Sequence, residues 1–178
     1  MSVINQDALQ FSWSELDDQD VIVGNLPYNI ASELMCSWVE SKIKFKDAVL
    51  MMQKEVADRA MAEPGSKHYG RLSIILQTYF KVEALLGVSP DAFDPPPKVQ
   101  STIIKLKLLP QALCPLELLE PLKRVTAAAF SQRRKKCKHG LGVYFSVDDL
   151  VKIGVDPELR PEALSVGQFI QMAKFLSK

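Results

Sequence analysis

Residues 21–28 read Val-Ile-Val-Gly-Asn-Leu-Pro-Tyr. Three apolar β-branched residues closed by a glycine make the pattern of a short buried strand. Pro27 has no N–H to give to a ladder, so pairing is predicted to stop there. Asn25, Leu26, Pro27 and Tyr28 then stand at a strand's carboxyl end, where open α/β sheets hold ligands. Asn25 brings an amide that both accepts and donates, Pro27 stiffens the backbone so that carbonyls face outward, and Tyr28 adds a flat ring. An acceptor, a carbonyl and an aromatic face together suit the exocyclic amine of a planar base. The same residue types also serve a plain turn after a strand.

The flanking sequence supplies the rest of an alternating fold. Apolar residues at Ile30, Leu34, Met35, Trp38, Val39 and Ile43 recur at helical spacing, predicting a helix over 31–43 with Ser32 as its cap. A buried strand is predicted over 48–52, helices over 54–62 and 71–80, and strands over 82–88 and 101–109. Strand–helix–strand alternation implies parallel pairing with crossover helices. Only the proline-rich loop 90–97 joins the last two strands, which predicts that those two run antiparallel. After Pro110 the texture changes to amphipathic helices over 117–131 and 161–176. The predicted fold class is α/β, the C-terminal half of a Rossmann-like sheet plus a small all-helical C-terminal domain, divided as 1–110 and 111–178. No glycine-rich turn of the kind that cradles a nucleotide follows any of the four strands.

Composition narrows the class further. The 178 residues are 47% hydrophobic and 24% charged, ordinary for a soluble protein. The start of the sequence has no basic segment followed by an apolar one, so a cytoplasmic location and no membrane partner are expected. Cys36, Cys114 and Cys137 are far apart and lack metal-ligand spacing, and His68 and His139 have no partner at ligand spacing. No metal is expected. The net charge of +1 hides a cluster: Arg133, Arg134, Lys135, Lys136 and Lys138 place five cations within six residues. That exceeds what a helix end needs and predicts a local contact with a polyanion's phosphates.

An adenine or cytosine amine is a weak nucleophile because its lone pair is delocalised into the ring. Accepting its N–H groups on Asn25 and on the carbonyl beside Pro27 would direct that lone pair outward, while Tyr28 stacks on the base for about 1–3 kcal/mol. Phe93, between Pro90 and Pro95, is either a core plug or the opposite wall of a base sandwich. The base must come from a single strand or leave its duplex. This is the chemistry of amino-group methyl transfer. The segments 53–59 and 69–73 read as structural.

These stretches together resemble the small-subunit ribosomal RNA adenine N6,N6-dimethyltransferase family. The matching residues are Asp7-Ala8-Leu9, Gly24-Asn25-Leu26-Pro27-Tyr28-Asn29-Ile30, Gln53-Lys54-Glu55-Val56-Ala57-Asp58-Arg59, Tyr69-Gly70-Arg71-Leu72-Ser73, Phe93 through Ser101, and Ala129 through Lys136, in family order. The resemblance implies an S-adenosylmethionine-dependent enzyme that dimethylates two adjacent adenines of small-subunit rRNA and takes part in subunit maturation, with the 30S subunit as partner. It implies that Asp7 and Ala8 contact the cofactor, that Asn25 lies between cofactor and target amine, that Leu26 and Pro27 complete that catalytic stretch, and that Tyr28 and Phe93 flank the base. Arg133, Arg134, Lys135 and Lys136 would engage rRNA.

The chain departs from the family in two places. A glycine-rich cofactor loop ahead of Asp7 is missing, so the chain is expected to be a member lacking its N-terminal third and inactive alone. Its first strand is then expected to be a raw edge able to pair with another copy. Residues 136–140 also differ from the usual family stretch. The alternatives are a large-subunit rRNA methyltransferase of the erythromycin-resistance type, and a non-catalytic rRNA-binding assembly factor.

Overall fold

The computed structural model describes residues 3–27, 29–41 and 43–177. Among the described residues, four strands and seven α-helices follow one another: β1 (Val21–Asn25), α1 (Ala31–Glu40), β2 (Asp47–Gln53), α2 (Lys54–Met61), α3 (Arg71–Tyr79), β3 (Phe80–Val88), β4 (Ser101–Leu108), α4 (Leu119–Ser131), α5 (Cys137–Leu141), α6 (Val147–Ile153) and α7 (Val166–Leu176). The strands form one sheet in the order β1-β2-β4-β3. Two compact units result. One holds the residues up to Ala57 together with Lys81–Leu108, and the other holds Asp58–Phe80 with everything from Leu109 onward.

In the sheet unit, β1 and β2 run parallel with Val21 opposite Asp47 and Asn25 opposite Met51. The connection between them is α1, as strand–helix–strand alternation requires. β4 runs antiparallel to β2, with Leu50 opposite Ile104 and Ala48 opposite Leu106. These four residues are wholly buried, because β2 sits between two neighbours and the period of two sends one set of its side chains inward. Helix α1 meets the core through Ala31, Leu34, Met35, Trp38 and Val39, all buried. Its cap position is Ile30, with no side-chain cap, so Ser32 is a helical residue and not the cap predicted from sequence.

The expectation of a buried β1 is corrected. Val21 and Val23 are 53% and 77% exposed, because β1 is an outer strand of the sheet and turns these two side chains to solvent. The expected sheet edge is therefore present, and it is apolar.

The helical unit draws in the middle of the chain for identifiable reasons. The Ser73 hydroxyl donates to the Arg59 carbonyl at 2.6 Å, and the Gln77 amide donates to the carbonyls of Ala60 and Ala62. Phe130 of α4 lies edge-on to Tyr69 and stacks on Phe169 of α7 at 5.9 Å. Helix α5 crosses α4 so closely that a Cβ on Gly140 would sit 2.4 Å from the Ala128 carbonyl oxygen. Only glycine fits there.

Helices α5 and α6 were not foreseen from sequence. Helix α6 starts at a capping box: the Ser146 hydroxyl accepts from the Asp149 N–H at 3.1 Å and the Asp149 carboxylate accepts from the Ser146 N–H at 3.0 Å. It ends at Gly154, whose φ of 84° is left-handed. Ser165 and Gln168 form the same box at the start of α7. Among the described residues no helix is long and apolar enough to cross a membrane.

Trp38 is the largest side chain in the sheet unit's core at 1% exposure, and its indole N–H has no hydrogen-bond partner among the described residues. Its contribution is therefore packing. Trp38→Ala is expected to cost about 3–5 kcal/mol in urea unfolding. Trp38→Phe should cost markedly less, since no hydrogen bond is lost with the indole; equal costs would contradict a packing role.

Candidate functional site

β1 ends at Asn25, whose side chain is exposed. One residue further the Leu26 N–H still donates to the Met51 carbonyl at 2.9 Å, and then Pro27 offers no donor and the ladder stops. Leu26 turns inward to 8% exposure. A Cβ at Gly24 would lie 3.3 Å from one Leu26 methyl, a tight contact that Leu26 would have to shift slightly to relieve, and 3.5 Å from one of Leu50. The chain turns at once into α1: the Pro27 carbonyl accepts from the Ile30 N–H at 3.2 Å, and the Ile30 carbonyl from the Leu34 N–H at 2.8 Å.

Pro27's own carbonyl is thus taken up by the turn. Among the described residues none donates to the Leu26 carbonyl, and none engages the Asn25 carboxamide. At the end of β1 the exposed Asn25 is thus followed directly by a backbone carbonyl with no donor among the described residues. Tyr28 lies outside the described residues.

Asp7 and Ala8 occupy a turn of the same unit. The Asp7 carboxylate accepts the Leu9 N–H through Oδ1 at 3.0 Å, and its backbone carbonyl accepts the Gln10 N–H at 3.0 Å. No described residue engages Oδ2. The Trp13 indole N–H donates to the Ala8 carbonyl at 3.2 Å. Trp13 in turn meets Phe11 at 4.8 Å and Trp38 at 5.4 Å, both edge-on, and Trp38 meets Phe45 at 5.9 Å. This run of aromatic rings fastens the Asp7–Ala8 turn to α1, the helix that begins just after Asn25. Phe93 ends the short turn at Pro90–Ala92, half-buried, with its N–H on the Pro90 carbonyl at 3.1 Å. No hydrogen bond or ring contact joins it to Asn25 among the described residues.

The basic run of the helical unit divides. The Arg133 guanidinium bonds Glu162 at 3.1 Å and the Lys67 carbonyl at 2.5 Å, so it ties chain segments together. Lys136 and Lys138 both donate to the carboxylate of Glu158, one to each oxygen. The two ammonium groups hold the Glu158 carboxyl far below its ordinary value, at about 2. A carboxyl lowered in this way has its contribution above its unfolded value and loses it as pH falls through the folded one, and solvent screening keeps that contribution small at this exposure. Arg134 and Lys135 are exposed and have no acidic partner among the described residues. Sequence reasoning missed Glu158 and Glu162. The turn-forming Asp156-Pro157 pair was visible, but nothing in it announces a lysine partner some twenty residues earlier.

Residues 1–178 match the family model described as ribosomal RNA adenine dimethylase. The chain is 42% identical over 184 residues to the ribosomal RNA small subunit methyltransferase A of Salmonella typhimurium, covering all of this chain and 67% of that protein. It is 41% identical to the protein of the same name from Citrobacter koseri, with the same coverage. Among solved structures it resembles a dimethyladenosine transferase from Plasmodium falciparum, at 26% identity and TM-score 0.79, over 95% of this chain and 70% of that one. The 23S rRNA methyltransferase ErmE matches at TM-score 0.68 and 20% identity, over 98% of this chain and 71% of that one, a likeness of fold. The predicted α/β class with a helical C-terminal part agrees with these neighbours.

The Trp13 bond to Ala8 yields a direct test. Trp13→Phe keeps an aromatic ring but removes the indole N–H, a loss of about 1 kcal/mol for one neutral hydrogen bond. Amide hydrogen exchange at Leu9 and Gln10 is expected to speed up accordingly. Unchanged exchange would show that the turn holds without Trp13.

Proposed function

The chain belongs to the ribosomal RNA adenine dimethylase family, and on that premise we propose that it serves S-adenosylmethionine-dependent N6,N6-dimethylation of two adjacent adenines in small-subunit rRNA, with a role in maturation of the subunit. The single observation that carries this reading is the exposed Asn25 at the end of β1, followed directly by the Leu26 carbonyl, which has no donor among the described residues. The small-subunit assignment follows the names of the 42% and 41% identical relatives.

The target amine has two N–H bonds and a lone pair spread into the ring. Asn25 Oδ1 accepts one N–H and the Leu26 carbonyl the other, which favours a pyramidal nitrogen with its lone pair directed away from both. Tyr28 and Phe93 are the aromatic residues proposed to hold the base by stacking. When bound, S-adenosylmethionine supplies the electrophilic methyl group. The residues present fit that group: Asp7 has an unengaged carboxylate oxygen for an amine, Ala8 packs beside it in an anchored turn, and Asn25 is exposed. Asp7, Ala8 and Asn25 are the residues of this chain that would hold it, since no glycine-rich turn follows any strand.

The helical residues of 111–178, with the basic run from Arg133, are proposed to contact rRNA phosphates. The exposed Val21 and Val23 on the outer strand are proposed as the place where two copies of this chain pair edge to edge.

To test the proposal, the chain is fused to the part of the Salmonella relative that it does not span, and methyl incorporation into small-subunit rRNA is followed. Asn25→Ala is expected to lower the rate about 10²–10³-fold, the usual cost of removing one hydrogen-bonding group at a reacting centre. RNA binding should be retained. A variant that methylates at the parent rate would contradict the role of Asn25.

A further inference from the structure

The basic run carries more positive charge than it presents. Arg133 is engaged by Glu162 and the Lys67 carbonyl, and Lys136 and Lys138 share Glu158. Resting on the reading that this unit contacts RNA, we infer that Glu158 determines how firmly and how selectively the chain grips RNA: its carboxylate occupies the seat that a phosphate would take between Lys136 and Lys138, leaving Arg134 and Lys135 as the standing phosphate contacts.

The geometry supports an exchange of anions. Each Glu158 oxygen takes one lysine, the arrangement in which two ammonium groups grasp the two non-bridging oxygens of a phosphodiester. Both anions carry one negative charge and two oxygens, so a phosphodiester can neutralise the same pair of ammonium groups as the carboxylate. All three side chains are a third to a half exposed, and ion pairs in that setting hold weakly, so a phosphate that arrives with many others can displace the carboxylate. A phosphate chain bound only loosely meets Arg134 and Lys135, which have no acidic partner among the described residues. One that is also positioned elsewhere recruits two more.

Glu158 is not needed to hold its own loop in place. The Cys137 N–H donates to the Leu159 carbonyl at 2.7 Å and the Cys137 thiol to the Asp156 carbonyl at 3.3 Å. The Glu158 N–H is itself bonded to the Asp156 carboxylate at 2.8 Å, and the Leu159 N–H to the Asp156 carbonyl at 3.2 Å. The backbone therefore keeps residues 156–159 against the start of α5 when the Glu158 side chain changes.

The test measures binding of the whole chain to an oligoadenylate across a salt series. Glu158→Gln is expected to bind several-fold more tightly than the parent, with a salt slope steeper by about 0.7 for each lysine set free. Adding Lys136→Gln and Lys138→Gln to that variant should return the slope to the parent's. An unchanged slope in a Glu158→Gln protein with the parent's thermal midpoint would overturn the inference. Should Glu158→Gln fail to fold, the parent background decides: Arg134→Gln with Lys135→Gln is expected to weaken binding more than Lys136→Gln with Lys138→Gln, and the reverse order overturns the inference. The broader RNA reading fails separately, if removing all four of these cations leaves binding intact.

Discussion

The parallel ladder between β1 and β2, and its abrupt end at Pro27, is the constraint from which the candidate site follows. Five residue pairs hold the two strands in register, and the Leu26 N–H adds one bond beyond them. Proline cannot extend the series, so the chain leaves the sheet with an asparagine at the last paired position and a turn directly behind it. A ladder that ran further would commit the Leu26 carbonyl to β2. Ending the pairing at Pro27 leaves that acceptor without a strand partner, next in sequence to the exposed Asn25. Leu26 anchors the turn in the core while Asn25 stays outside, and a side chain at Gly24 would crowd Leu26.

Support for the site comes from packing more than from hydrogen bonds. Trp38 touches the rings of both Trp13 and Phe45, and Trp13 reaches the backbone of Ala8. Helix α1 is thereby fastened to the turn at Asp7, and its own first turn continues from the one after Asn25 through the Leu34 N–H bond to the Ile30 carbonyl. In the helical unit, electrostatics does a different job. Glu158 and Glu162 offset the repulsion among five cations within six residues, while backbone hydrogen bonds hold the start of α5 in place.

Elements with a clear period were legible in the sequence. Helix α1, the central strand β2 and strand β4 lie within a few residues of their predicted bounds, because each buries one face and writes its period into the chain. Helix α5 has five residues and α6 seven, too short to show a period, although the Ser146–Asp149 box was a readable start signal for α6. For β1 the outer position agrees with expectation and the burial does not, because three β-branched residues suit an outer strand as well as a central one. Asn25 was found through its place after that strand, which does not depend on burial. The partners of Lys136 and Lys138 were out of reach: composition reveals a basic cluster, but which acidic side chain folds back onto it depends on tertiary structure alone.

The account rests on Asn25 facing a base amine, and its side-chain amide resonances report on that most directly. In a nuclear magnetic resonance titration of the chain with an RNA hairpin whose loop holds two adjacent adenines, the Asn25 carboxamide signals should shift. A matched hairpin with uracils in the loop should leave them in place. Asn25 signals that stay fixed with the adenine loop, while backbone amides at Arg134 and Lys135 shift, would show that RNA binds without presenting a base at the end of β1 and would contradict the account.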